Sequence, residues 1–277
     1  MIRPHLMRRL LHAAGLCAFF LFAVFPVYWM VVTSLTPEKN LFVWPLRYFP
    51  SAPTLEHYIA ALLRTDIPRF FTNSLTVASL ASACTLTVAV LAGYALARYR
   101  FRGRQVTLLV FLATQMMPVV VLIVPLFIIF RMLGLLDTLY SLMIVYTVLN
   151  IPFCTLMMQG FFAGVPSELE EAAMVDGCNR MGAILRVAVP LARPGLIATF
   201  LFAFIGAWNE LLFAVMFLNS ESTFTLPVGL YNFISKYDIH WGRMMAGATL
   251  ALLPALAVFA FVQRYMVRGL ALGAVKG

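Results

Sequence analysis

Charge is scarce in this chain: 11% of its 277 residues are Asp, Glu, Lys or Arg, against 62% hydrophobic, and mean hydropathy is +0.92. That is more apolar surface than a water-soluble domain of this length needs to fill its core, so a soluble globular fold is excluded and an integral membrane protein remains. Acid is scarcer than base, with 11 carboxylates against 20 lysines and arginines. The pI near 9.7 is not a nucleic-acid signature, because arginines that bracket apolar runs are more simply explained by membrane topology. Cysteine is sparse and scattered: Cys17, Cys84, Cys154 and Cys178 form no pair at metal-ligand spacing, which excludes a disulfide framework and a zinc site. Catalytic signatures are missing as well. There is no His-Glu-x-x-His and no Gly-x-Ser-x-Gly, and His5, His12, His57 and His240 are isolated from one another. No Gly-x-x-x-x-Gly-Lys loop is available to cradle nucleotide phosphates, so the chain is expected to be no enzyme, to hold no metal or cofactor, and to take its energy from outside.

Apolar runs are what the chain does have. Six segments reach the roughly 20 residues a helix needs to cross a bilayer, about Leu10 to Ser34, Phe71 to Ala97, Val106 to Phe130, Thr138 to Phe162, Leu196 to Leu218 and Met244 to Met266. The expected fold class is therefore an all-α membrane protein, a single domain over residues 1–277. The first run follows a basic head (Arg3, Arg8, Arg9) but is too long for a signal peptide, so it is expected to remain as a span. Assigning lysines and arginines to alternate sides gives thirteen against seven, and the positive-inside rule puts both termini in the cytoplasm. The cluster Arg98-Tyr-Arg-Phe-Arg-Gly-Arg104 is the strongest vote and reads as a topology anchor. Outside, Leu55, Tyr58, Ile59, Leu62 and Leu63 recur at helical spacing, which predicts an amphipathic helix on the membrane face. Pro118, Pro125, Pro152 and Pro254 fall inside spans, where each can kink a helix.

Between the fourth and fifth runs lies an acidic helix running from Pro166 to Gly177. Ser167 and Glu170 have the spacing of a capping box, Glu168, Glu170 and Glu171 place negative charge at the positive end of the helix dipole, and Gly177 is placed for a left-handed C-terminal cap. In the fifth run Glu210 is the one acidic residue well inside an apolar span, so it should face the bundle interior or a wet cavity. Trp208 and Asn209 beside it offer an apolar face and an amide, which suit a sugar ring. Gln115, Asn150 and Gln159 are weaker candidates for the same path. For all of these, hydrogen bonding between helices is the competing explanation.

Glu171-Ala172-Ala173, then Gly177, then Val187, Val189 and Pro190 resemble the EAA loop of ABC importer permeases. Asn73-Ser74, Trp208-Asn209-Glu210, Thr225-Leu-Pro-Val-Gly-Leu230 and the tail Gly273-Ala-Val-Lys-Gly277 resemble the carbohydrate-uptake, maltose-type branch. The family favours Ile and Leu where valines stand at 187 and 189, a change that preserves an apolar face. The resemblance implies a type I importer permease with a cytoplasmic coupling helix, in the bacterial plasma membrane. It implies as partners a second permease, two ATPase subunits that bind ATP and Mg, and an extracytoplasmic solute-binding protein. It assigns coupling to Glu170, Glu171, Ala172, Ala173, Asp176, Gly177 and Pro190, with Glu171 offered to an arginine of the ATPase and the two alanines keeping the helix thin enough for a groove. A permease for an amino acid, phosphate ester or peptide, and an ion-coupled carrier working alone, remain as alternatives.

Overall fold

The computed structural model describes residues 4–235 and 240–273. Arg3, Lys236, Lys276 and the tail motif beyond Gly273 lie outside the described residues. Helices account for nearly all of the regular structure, and no strand occurs among the described residues. In chain order they are α1 (Pro4–Leu35), α2 (Glu56–Leu63), α3 (Ile67–Arg98), α4 (Arg104–Met116), α5 (Val119–Met132), α6 (Leu139–Ala163), α7 (Ser167–Val175), α8 (Arg180–Ala183), α9 (Val189–Leu191), α10 (Arg193–Asn209), α11 (Leu212–Phe217), α12 (Leu226–Ser235) and α13 (Trp241–Gly273).

Four stretches are each long and apolar enough to cross a membrane: Leu11–Leu35, Ile67–Arg98, Leu139–Ala163 and Trp241–Ala260. The count rises to six if two bent pairs are each one span: α4 with α5, bent by 99°, and Arg180–Leu191 with α10, bent by 77°. The third expected run is therefore not one straight helix. Pro118 lacks an amide hydrogen and forces Met117 into extended backbone (ψ 126°), so the helix stops and restarts. The fifth expected run is also interrupted, at Glu210, without any proline. Pro125, Pro152 and Pro254, by contrast, sit inside continuous helices.

The chain groups into two compact units, Met1–Pro68 with Gly229–Leu253, and Arg69–Val228 with Pro254–Gly277. In the first, α2 is amphipathic as the sequence predicts, with its small and polar face turned to the rest of the chain. Its buried residues are His57, Ala60 and Ala61, while Leu55, Ile59, Leu62 and Leu63 are exposed. Polar contacts explain this: the Tyr58 hydroxyl meets Ser34 Oγ at 2.7 Å, and His57 Nε2 donates to the Thr36 carbonyl at 2.9 Å. The small and polar face docks on the chain, and the apolar face is left for lipid or a partner.

In the second unit a buried cluster joins α3 (Ala89, Tyr94), α6 (Cys154, Met158, Phe162) and the return segment after α7 (Ile184, Ala188, Ala192). That segment includes a π turn, Ile184–Ala188, between α8 and α9. The segment bearing the acidic helix is thus packed onto the bundle rather than hanging in solvent.

Candidate functional site

Helix α7 carries two adjacent carboxylates, and successive residues of an α-helix point about 100° apart, so the pair cannot share a face. Glu170 turns inward and is 5% exposed. Its Oε1 accepts from Arg98 Nε at 2.8 Å and Nη2 at 2.6 Å, and its Oε2 accepts from the Tyr94 hydroxyl at 2.6 Å. Arg98 Nη2 also donates to the Val165 carbonyl at 2.8 Å, directly ahead of the helix. The expected capping box is therefore absent: no side chain caps the N-terminus of α7. A fork of charged donors outcompetes a neutral amide for the carboxylate. Glu170 is accordingly unavailable to a partner's arginine, and Arg98 does more than mark topology.

Glu171 points the other way and is exposed, as are Ala172 and Asp176. Ala173 is half-buried. Gly177 ends the helix as expected, at φ +92°. The Cys178 amide donates to the Ala173 carbonyl at 3.0 Å and the Gly177 amide to Met174 at 3.1 Å, which is the Schellman pattern. Asn179 then starts α8, its Oδ1 accepting from the Gly182 amide at 2.7 Å. Val189 packs against the buried cluster, and Pro190 follows the π turn, in the three-residue α9.

The path candidates divide. Trp208 is 4% exposed, edge-on to Phe71 at 5.5 Å and stacked on Phe204 at 5.9 Å, so its ring is core rather than the open sugar platform its sequence context suggests. Glu210 terminates α10 and restarts the chain as α11. Its Oε1 accepts from the Phe213 amide at 3.0 Å, and its Oε2 from the Ala214 amide at 3.3 Å and the Tyr146 hydroxyl at 2.6 Å. The carboxylate inside the apolar run is thus held by three donors. Asn150, half-buried, donates to the Tyr146 carbonyl at 2.8 Å. Asn209 and Gln115 are exposed, Gln115 next to the break between α4 and α5; Gln159 is half-buried. Tyr146, Asn150 and Glu210 come together; no described contact joins Gln115 to them.

Two of the short sequence features prove to be one construction. Asn73 Nδ2 donates to the Ser222 and Phe224 carbonyls at 3.0 and 2.9 Å, and Ser74 Oγ accepts from the Leu226 amide at 2.8 Å. The Asn-Ser pair therefore fixes the segment leading into Thr225-Leu-Pro-Val. Beside it is a clamp that sequence reasoning missed. Asp137, at φ +59°, accepts from the Asn219 amide at 2.9 Å, the Ser220 amide at 2.8 Å, the Ser220 hydroxyl and the Thr223 hydroxyl at 2.8 Å. The only local hint is an aspartate placed for a turn. Burial alone would raise its carboxyl, but the hydrogen bonds from Ser220, Asn219 and Thr223 outweigh that and hold it well below the usual carboxylate range. A depressed folded-state value means that the stabilisation is present above the unfolded aspartate's value and is lost as pH falls through the folded one. Asp137→Asn is expected to speed proteolysis of segment 218–223 at neutral pH. The gap to wild type should close on acidification; a pH-independent difference would contradict the clamp.

The family model for the binding-protein-dependent transport system inner membrane component matches residues 85–272. The chain is similar to the sulfoquinovosyl glycerol transport system permease protein SmoH of Agrobacterium fabrum, at 40% identity over 92% of this chain and 89% of that one. It is similar to the trehalose/maltose transport system permease protein MalG of Thermococcus litoralis at 32% identity, covering 100% of both chains. Among solved structures, a bacterial ABC transporter involved in the import of the acidic polysaccharide alginate shares the fold. Its TM-score is 0.82, with 23% identity over 96% of this chain and 98% of that one.

Proposed function

The chain belongs to the family of binding-protein-dependent transport system inner membrane components, and from that premise we propose that it is one of two permease subunits of an ATP-binding cassette importer for a sugar or oligosaccharide. The carrying observation is the outward face of α7. Glu171, Ala172 and Asp176 stay exposed at a helix whose Glu170 is locked inward, so one short acidic face is presented on a firm base. The excess of basic residues on the side bearing both termini supports placing that face in the cytoplasm. The sugar assignment is supported by the transport systems named for the relatives.

ATP and Mg belong on two partner ATPase subunits, and this chain holds neither. Closure of those subunits on ATP favours one permease conformation by differential binding, an extracytoplasmic binding protein supplies the solute, and opening after hydrolysis releases it inward. The breaks at Met117 and Glu210 suit this motion, because irregular backbone at membrane depth is tolerated where it is buried in protein or lines a cavity. An ion-coupled carrier finds no support in Glu210, whose carboxylate is already committed to Tyr146 and two amides.

Glu171→Ala removes one directional charge pair, a bond of about 1.5–3 kcal/mol, so ATP-driven uptake by the complex is expected to fall on the order of tenfold to a hundredfold with assembly retained. Uptake by the isolated chain in liposomes without any ATPase subunit would overturn the assignment.

A further inference from the structure

We infer that Arg98, Glu170 and Tyr94 form a strut that passes movement of α7 into α3, so that Glu170 and Arg98 are positioning residues for coupling rather than contacts to a partner. The inference rests on the importer reading above. Three observations carry it. Among the described residues the Arg98–Glu170 pair is a charge pair with both side chains sheltered, at 14% and 6% exposure, and it joins residues 72 positions apart. It is multidentate: Arg98 grips the carboxylate through two nitrogens while Nη2 also holds the Val165 carbonyl at the entry to α7, and Tyr94, one turn earlier on α3, grips the other carboxylate oxygen. The α3 end of the strut is backed by packing, since the Tyr94 ring stands edge-on to Phe162 at 5.5 Å and lies in the cluster that includes Ile184, Ala188 and Ala192.

A loop held only by apolar side chains can slide, because such contacts are non-directional. A forked guanidinium on a carboxylate is directional and loses its bonds when either end turns. Force applied on the exposed Glu171 side of α7 therefore reaches α3 through Glu170, one residue away on the inward side. Glu170 and Glu171 have opposite tasks, one joining the helix to its own span and one facing out.

The test uses the complex with its native partner subunits, in a background where Cys17, Cys84, Cys154 and Cys178 are replaced by alanine. Reporter cysteines are introduced as Gln115→Cys and, separately, Asn209→Cys. Two readouts are compared: ADP trapped by vanadate, which reports closure of the ATPase subunits, and the rate of N-ethylmaleimide labelling at the reporters, which reports movement of the permease. In the parent complex, ATP with vanadate should change labelling at one reporter or both; no change at either would count against the importer reading itself. In Glu170→Gln, trapping should remain within twofold of the parent while the labelling change falls at least fivefold. Arg98→Lys keeps the charge but not the fork, so it should give a response between the two, which a merely structural loss would not produce. A parent-like labelling change in Glu170→Gln overturns the strut. If Glu170→Gln fails to assemble, Tyr94→Phe takes its place: a reduced response with intact trapping supports the strut, and a full response in both Tyr94→Phe and Arg98→Lys overturns it.

Discussion

Gly93→Leu is expected to lower the yield and melting temperature of the folded protein sharply. A Cβ at position 93 would lie 2.7 Å from Met158 Cβ, 2.9 Å from the Gln159 backbone nitrogen and 3.1 Å from the Met158 carbonyl carbon. Two of those three atoms are main chain inside α6, so no rotamer change can clear them. Helices α3 and α6 must separate, and the cluster around Tyr94, Met158 and Phe162 opens with them. Overpacking a tight core costs about 1–3 kcal/mol for modest insertions, and a four-carbon side chain against backbone lies at or beyond the top of that range. That is a large part of the roughly 5–15 kcal/mol by which a domain is stable. Gly93→Ala should show an intermediate loss, and Gly160→Ala, whose Cβ meets nothing within 4 Å, should be near neutral. Detergent-solubilised yield and melting temperature of the three variants decide the matter. A wild-type melt for Gly93→Leu would mean that the helices are not in close contact there.

The second large effect is expected at Glu210. Glu210→Ala leaves the Tyr146 hydroxyl without its carboxylate on a residue 2% exposed, and it leaves the first turn of α11 uncapped. An unsatisfied buried donor costs about 1–3 kcal/mol and a lost N-cap about 0.5–2 kcal/mol, so the variant should be destabilised by about 1.5–5 kcal/mol. Glu210→Gln keeps an acceptor and should lose much less. Tyr146→Phe removes the donor together with the need for it and should fall between them. Thermal melts separate this structural role from a translocation role, because Glu210→Ala at wild-type stability with impaired uptake would reassign the carboxylate to the solute path.

Gly93 carried no signal in the sequence, whereas Glu210 did: hydrogen bonding between helices was one of its two expected roles, and the bond from Tyr146 on α6 is of that kind. An isolated glutamate in an apolar run has to find partners, so Glu210 stood out, but no local pattern points to Tyr146, 64 residues earlier. Trp208 beside it resembled a sugar platform because aromatic and amide neighbours can recognise a ring, yet Phe71 and Phe204 cover it. The Ser167-x-x-Glu170 spacing is a true local signal for a helix start, and the helix does start there. The capping box lost because Arg98 arrived from a distant segment with a stronger claim on the carboxylate. Asp137 left almost no trace in the sequence, since its partners follow 82 to 86 residues later in the chain.

The sequence by itself determined the compartment, the apolar runs, the two ends of the acidic helix and the Gly177 stop, because composition, helical period and cap chemistry act between residues a few positions apart. Only the tertiary structure decided which of two neighbouring carboxylates turns inward, which partner holds Glu210 where the fifth run breaks, and that Asn73-Ser74 holds the segment before Leu226. Each of those outcomes is set by hydrogen-bond donors and acceptors brought together from distant parts of the chain, and it is the packing of the helices that selects which of them meet.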